Sequence, residues 1–174
     1  MHTLREGTSF IRLGRHAKIM AVGLIVVVGL TGTLLLRQEL RHKDLQVPPN
    51  IAQQVPFHIY IPQKLPGSYQ IDNHSFAVND NILVFKATDG LGGTIAITEQ
   101  AKPKNFNFDQ FYRDHFSETQ VLSNVPYPSV SGTDDENHAK PLSIVTSDVW
   151  IVINSQAALD DADLHTIAQS IKRY

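Results

Sequence analysis

The spacing of apolar and polar side chains changes period several times along this chain, and each change marks an element. Ile19 to Leu36 (IMAVGLIVVVGLTGTLLL) has no polar period at all, running eighteen residues without a charge between Lys18 and Arg37. At about 1.5 Å per residue, a helix of that length spans roughly 27 Å, close to the hydrocarbon thickness of a bilayer. Its polar side chains, Thr31 and Thr33, can bond back to helix carbonyls. A soluble core helix this long would carry a polar stripe. A cleaved signal peptide would have a shorter apolar core ending at small residues, whereas Leu34, Leu35 and Leu36 run straight into Arg37. The segment therefore reads as an uncleaved transmembrane helix, residues 19–36, behind a basic tail of residues 1–18.

Residues 37–55 begin as a polar continuation that Pro48 and Pro49 stop, and they read as a spacer. From residue 56 to 174 the pattern is that of a folded domain. In VPFHIYIP, Val55, Phe57, Ile59 and Ile61 alternate with Pro56, His58 and Tyr60, a half-buried strand ended by Pro62. A turn at Pro66-Gly67 leads to a second strand with Tyr69 and Ile71. SFAV and ILVFKA flank Asn79-Asp80-Asn81 as a hairpin, and TIAITEQ follows the turn TDGLGG. Four short strands in about forty residues imply an antiparallel meander.

The period then becomes helical. Phe108, Phe111, Tyr112 and His115 share a face, with Phe116 beside them, and Asn107 with Gln110 can form a capping box. Such an aromatic stripe is the face that packs on a sheet. Strands return at TQVLSNV, PSVSG, PLSIVT and VWIVIN, the last two joined across Thr146-Ser147-Asp148. In VWIVIN, Val149, Ile151 and Ile153 share one face and leave Trp150 with Val152 on the other. Were that face open it would mark a binding surface; Trp150 is expected in the core. The closing segment predicts a helix N-capped by Asp160, with Leu164, Ile167, Ala168 and Ile171 as its apolar stripe and Lys172 and Arg173 at its C-terminus. The expected fold class is α+β: an N-terminal transmembrane helix, then an antiparallel β-sheet packed with two helices.

Charge adds orientation. Residues 1–45 carry seven basic and three acidic side chains, net +4, and residues 46–174 carry eight and fourteen, net −6. A basic N-terminal tail favours the cytoplasmic leaflet and the acidic domain the outside. An acidic domain has no electrostatic footprint for nucleic acid. The absence of cysteine removes disulfides, thiolate metal sites and cysteine nucleophiles.

Candidate chemistry is sparse. Asp89-Gly90-Leu91-Gly92-Gly93 resembles a phosphate loop only superficially, because it lies between strands and no Lys-Ser/Thr follows. Asp134, Asp135, Glu136, Asn137 and His138 lack the ligand spacing of a calcium loop and read as a solvated turn. His58, His74, His115, His138 and His165 are scattered without zinc-site spacing, and there is no nucleophile elbow. No catalytic, cofactor-binding or metal residue is assigned. Carboxylate pairs distant in sequence leave a hydrolase as the alternative. A third class, a subunit assembling through the anchor, would rest on Gly29 and Thr33 alone.

The order anchor, spacer, IPQKLPGSYQI, GGTIAITEQ, tryptophan strand and DLHTIAQSIK resembles an uncharacterised bacterial family of extracytoplasmic domains behind single membrane anchors, grouped with sporulation and sigma-factor regulatory proteins. The succession of elements is also similar to the PsbP-like sandwich. These resemblances imply an antiparallel α+β domain without known catalytic residues. The expectation is a single-pass protein held in the lipid bilayer by Ile19–Leu36. Its exported domain would bind an envelope protein or other envelope component without catalysis or cofactor.

Overall fold

Turn chemistry builds the sheet. The computed structural model describes residues 47–134, 139–156 and 159–174; the 19–36 span and most of the acidic loop 134–138 lie outside them. Strand β3 (Ala77–Asn79) and β4 (Ile82–Thr88) meet at Asp80 and Asn81, both in the left-handed region, as a tight hairpin turn requires. β4 and β5 (Thr94–Ala101) meet at the glycine turn, where Asp89 Oδ1 accepts the amides of Leu91 and Gly93. The glycines thus serve a hairpin, as expected. β8 (Leu142–Val145) and β9 (Val149–Ser155) join across Thr146–Asp148, where Thr146 Oγ1 accepts the Val149 amide at 2.9 Å.

Two further strands, β2 (Gln70–Ile71) and β3, pair in tandem along one edge of β4. From β5 the chain leaves the sheet through helix α2 (Phe108–His115). It re-enters at the opposite edge as β6 (Phe116–Val121), then steps inward through β7 (Ser129–Asp134), β8 and β9 until β9 closes against β5. The result is an antiparallel eight-stranded sheet, ordered β2-β4-β5-β9-β8-β7-β6 with β3 beside β4. β6 carries a bulge between Ser117 and Gln120, with Glu118 at positive φ. Gly132 allows β6 to approach there, since a Cβ would come within 2.9 Å of Phe116 Cβ.

Alternation divides the sheet into two faces. On the inner face, Phe85, Ile97, Ile153 and Leu142 form one cross-strand row and Leu83, Glu99, Ile151 and Ile144 the next; all are buried. Helix α3 (Asp161–Ser170) contributes Leu164, Ile167 and Ala168 to this core. Asp160 caps it by accepting the Asp163 amide at 2.8 Å, as predicted.

Four expectations are corrected. The strand read across Val55–Ile61 is only β1 (Tyr60–Pro62), and it does not join the meander. It pairs instead with β10 (Ile171–Arg173), the segment expected to end the last helix, so Lys172 and Arg173 lie in a strand. Phe116 begins β6 rather than extending α2. The helix that the proline pair was expected to stop lies outside the described residues; Pro49 starts one, α1 (Pro49–Ala52), and Val47 and Ile51, read as spacer, are buried in the core. No helix among the described residues is long and apolar enough to cross a membrane.

Candidate functional site

One residue on the inner face breaks the apolar row. Glu99 follows Ile95 and Ile97 on the same side of β5 and is fully buried. Its cross-strand neighbours are Leu83 and Ile151. Both carboxyl oxygens face the Tyr60 amide of β1, at 3.2 and 3.1 Å. Burial pushes the acid up, the Tyr60 amide opposes this, and the nearby Asp148 charge adds to the rise, which reaches about 8. At neutral pH Glu99 is therefore largely a neutral acid.

Asp148, at the β8–β9 turn, is the opposite case. Its Oδ2 lies 2.6 Å from His58 Nδ1 and 3.4 Å from the His58 amide. Its Oδ1 accepts from the Tyr60 hydroxyl at 3.1 Å and from Ser147 Oγ at 3.1 Å, with Thr146 Oγ1 at 3.3 Å. Partial burial favours the neutral form, but the His58 and Tyr60 side-chain bonds, then the His58 amide and Ser147, outweigh it and hold the carboxyl down at about 2. Burial also pushes the Tyr60 phenol up, in keeping with its role as donor.

Two carboxyls thus hold residues 58–60 at different depths, one neutral beneath the strand and one ionised beside it. Separated values of this kind mark acid–base pairs. The geometry here limits what the pair can do. Glu99 has no exposed surface. His58, half-exposed and oriented by Asp148, has the Asp–His half of a nucleophile-activating array, but among the described residues no hydroxyl bonds its other ring nitrogen. No group of three or more His, Asp or Glu among the described residues is placed to hold a metal.

The second cluster lies on the outer face. Phe106, Phe108 and Phe111 surround Trp150 with ring centroids 5.3–5.5 Å from it. Trp150 Nε1 donates to Ser143 Oγ at 2.8 Å, and the buried Tyr112 hydroxyl bonds the same oxygen at 2.7 Å. Half of the predicted capping box forms: Asn107 Oδ1 accepts the Gln110 amide at 3.0 Å, while the Gln110 side chain bonds Asp114 and Arg113. The aromatic stripe packs on the sheet as expected, and it covers Trp150 only in part.

Beyond this wall the outer positions of β4, β5 and β9 lie half-exposed: Ile82, Val84, Ala96, Thr98, Gln100 and Val152. Among the outward positions of those strands the charged side chain is Lys86. Lys102 and Lys104 are exposed in the loop that follows β5, next to Phe106 at 38% exposure.

The other described histidines, His74, His115 and His165, are dispersed. His115 bonds the Phe111 carbonyl and stacks on its ring, and His165 bonds the Ser123 carbonyl. Comparison with protein-family models, curated proteins and solved structures finds no match.

Proposed function

We propose that this is a single-pass membrane protein whose residues 19–36 span the bilayer, with residues 1–18 cytoplasmic and the acidic α+β domain outside. The domain acts as a non-catalytic binding module of the envelope. Its occupant is an acidic segment of an envelope protein, laid on the outer face of β4, β5 and β9 against the Phe106–Trp150 wall. The observation that carries this reading is the character of that face. It is a mixed face, with Ile82, Val84, Ala96, Trp150 and Val152 set among threonines, Gln100 and Asn154, and it is free of outward carboxylates on those three strands, in a domain of net charge −6. Apolar side chains rimmed by one sign of charge fit a partner of the opposite sign. The polar cluster supports a non-catalytic role, because its hydroxyls converge on Asp148 and its buried acid has no opening to a substrate.

Site-specific photo-cross-linking in intact membranes tests this. Photo-reactive side chains at Thr98 and Val152 are expected to capture one discrete protein, and a control at Leu91, exposed in the hairpin turn, is not. Loss of the adduct on replacing Lys86 and Lys102 by Glu would support the acidic partner. Equal capture from all three positions, or none, would remove the reading.

A further inference from the structure

We propose that Glu99 is a proton-operated latch for β1: as a neutral acid it stays buried beneath the strand, and when ionised its demand for water, which the single Tyr60 amide does not meet, releases β1 with β10 while the eight-stranded sheet stays paired. This goes beyond the binding role and depends on neither the membrane span nor the outer face.

An ionised Glu99 would find few partners at this position. A carboxylate offers about four acceptor sites, and the partner of both Glu99 oxygens among the described residues is a single N–H. The facing side chains from β4 and β9 are Leu83 and Ile151. From β1 comes Tyr60, whose hydroxyl is turned to Asp148. From the β8–β9 turn comes Asp148, a like charge, with His58 paired to it on its far oxygen. The buried side chains of α3 are Leu164, Ile167, Ala168 and Ser170, and the Ser170 hydroxyl is bonded to Lys64 and Ile167. On β10, Lys172 and Arg173 are opposite Ile61 and Tyr60 but exposed. An ionised Glu99 therefore gains a repulsion and no cation, and a buried charge in that position must reach water.

The path to water runs through a neighbour that pairs with no strand of the eight-stranded sheet. β4 and β9 pair with β5 along seven residues each and with further strands on their other sides. β1 is three residues long and pairs with β10, itself three residues. Lifting that two-stranded flap exposes Glu99 without breaking the eight-stranded sheet, a local opening of the kind that native proteins undergo below the free energy of global unfolding. At low pH the flap is also held by the bonds of Asp148 to His58 and Tyr60, by the Lys64–Ser170 bonds and by the burial of Ile61 and Ile171, and ionisation of Glu99 acts against that hold.

Amide hydrogen exchange on the full chain in detergent micelles or nanodiscs, between about pH 6 and about pH 9, reads the latch directly. After correction for intrinsic exchange, protection in β1 and β10 is expected to fall with pH, by at most about tenfold per unit for one proton, while β4, β5 and β9 keep theirs. In Glu99→Gln the β1 and β10 protection is expected to be flat. The same pH profile in both proteins, or a fall shared by the whole sheet, would overturn the latch. Should Glu99→Gln not fold, the wild type alone decides by its infrared spectrum. A protonated-carboxyl band present near pH 6 and vanishing in step with β1 protection supports the proposal, and its absence near pH 6 refutes it.

Discussion

At Glu99 an ordinary carboxyl value of 4.5 is lifted to about 8 by burial, and the effect on stability has a definite sign. Between those values the folded state keeps a proton that the unfolded chain has lost. The group's contribution is complete below pH 4.5 and is lost as pH rises through 8, at roughly 1.4 kcal/mol per unit. Asp148 works the other way: lowered from 3.8 to about 2, it contributes above 3.8 and loses that contribution as pH falls through 2. Chemical denaturation should therefore give a stability that falls by a few kcal/mol from about pH 5 to about pH 8, and Glu99→Gln should flatten that fall. A wild-type profile that rises over this range would contradict the assignment. At Ser143 one oxygen bonds both the Trp150 Nε1–H and the Tyr112 hydroxyl, so Ser143→Ala should cost about 1–3 kcal/mol in the same assay and change the fluorescence of Trp150, the chain's one tryptophan. Glu99 had a sequence signal: it continues the Ile95 and Ile97 face in steps of two, placing an acid where the pattern asks for an aliphatic. His58 and Asp148 had none, since they meet across 90 positions of chain.

Elements held by their own turns were legible and elements held by distant partners were not. The β3–β4, β4–β5 and β8–β9 hairpins follow from Asn-Asp-Asn, the glycine turn and Thr-Ser-Asp, because a tight turn and two alternating flanks are local properties. The caps at Asn107 and Asp160 are local in the same way. β1 and β10 are each too short to have a period, and their pairing joins Tyr60 to Arg173; from sequence the first was overextended and the second was absorbed into a helix. Their pairing makes the C-terminal strand a structural part of the domain. Ile171, buried under it, should cost about 2–5 kcal/mol when replaced by Ala. Arg173→Ala, at an exposed position of the same strand, should stay within about 0.5 kcal/mol. Comparable small effects from both would mean that β10 frays in the folded protein.

For the molecule as a whole, the division of charge sets what the span must do if the proposed topology holds. Residues 1–18 carry four basic and one acidic side chain and residues 37–174 eleven and sixteen, and the anchor between them orients itself by the Lys and Arg that flank it, with the more basic side in the cytoplasm. The bias across the span is narrow, since Arg5, Arg12, Arg15 and Lys18 precede it and Arg37, Arg41 and Lys43 follow. That narrowness makes the topology breakable in a specific way. Replacing Arg12 and Arg15 by Glu removes two basic residues from the N-terminal side and leaves three on the other, so part of the population should invert. Protease added to spheroplasts should digest the domain completely in the wild type and leave a protected domain fraction in the double variant. Alkaline extraction should keep both in the membrane. Release of the wild type by alkaline extraction would sink the anchor, whereas a wild-type domain that resists protease in the membrane fraction would sink only its orientation. Both outcomes leave the latch at Glu99 intact, because the core that surrounds it is built from residues 47 onward and does not call on the span.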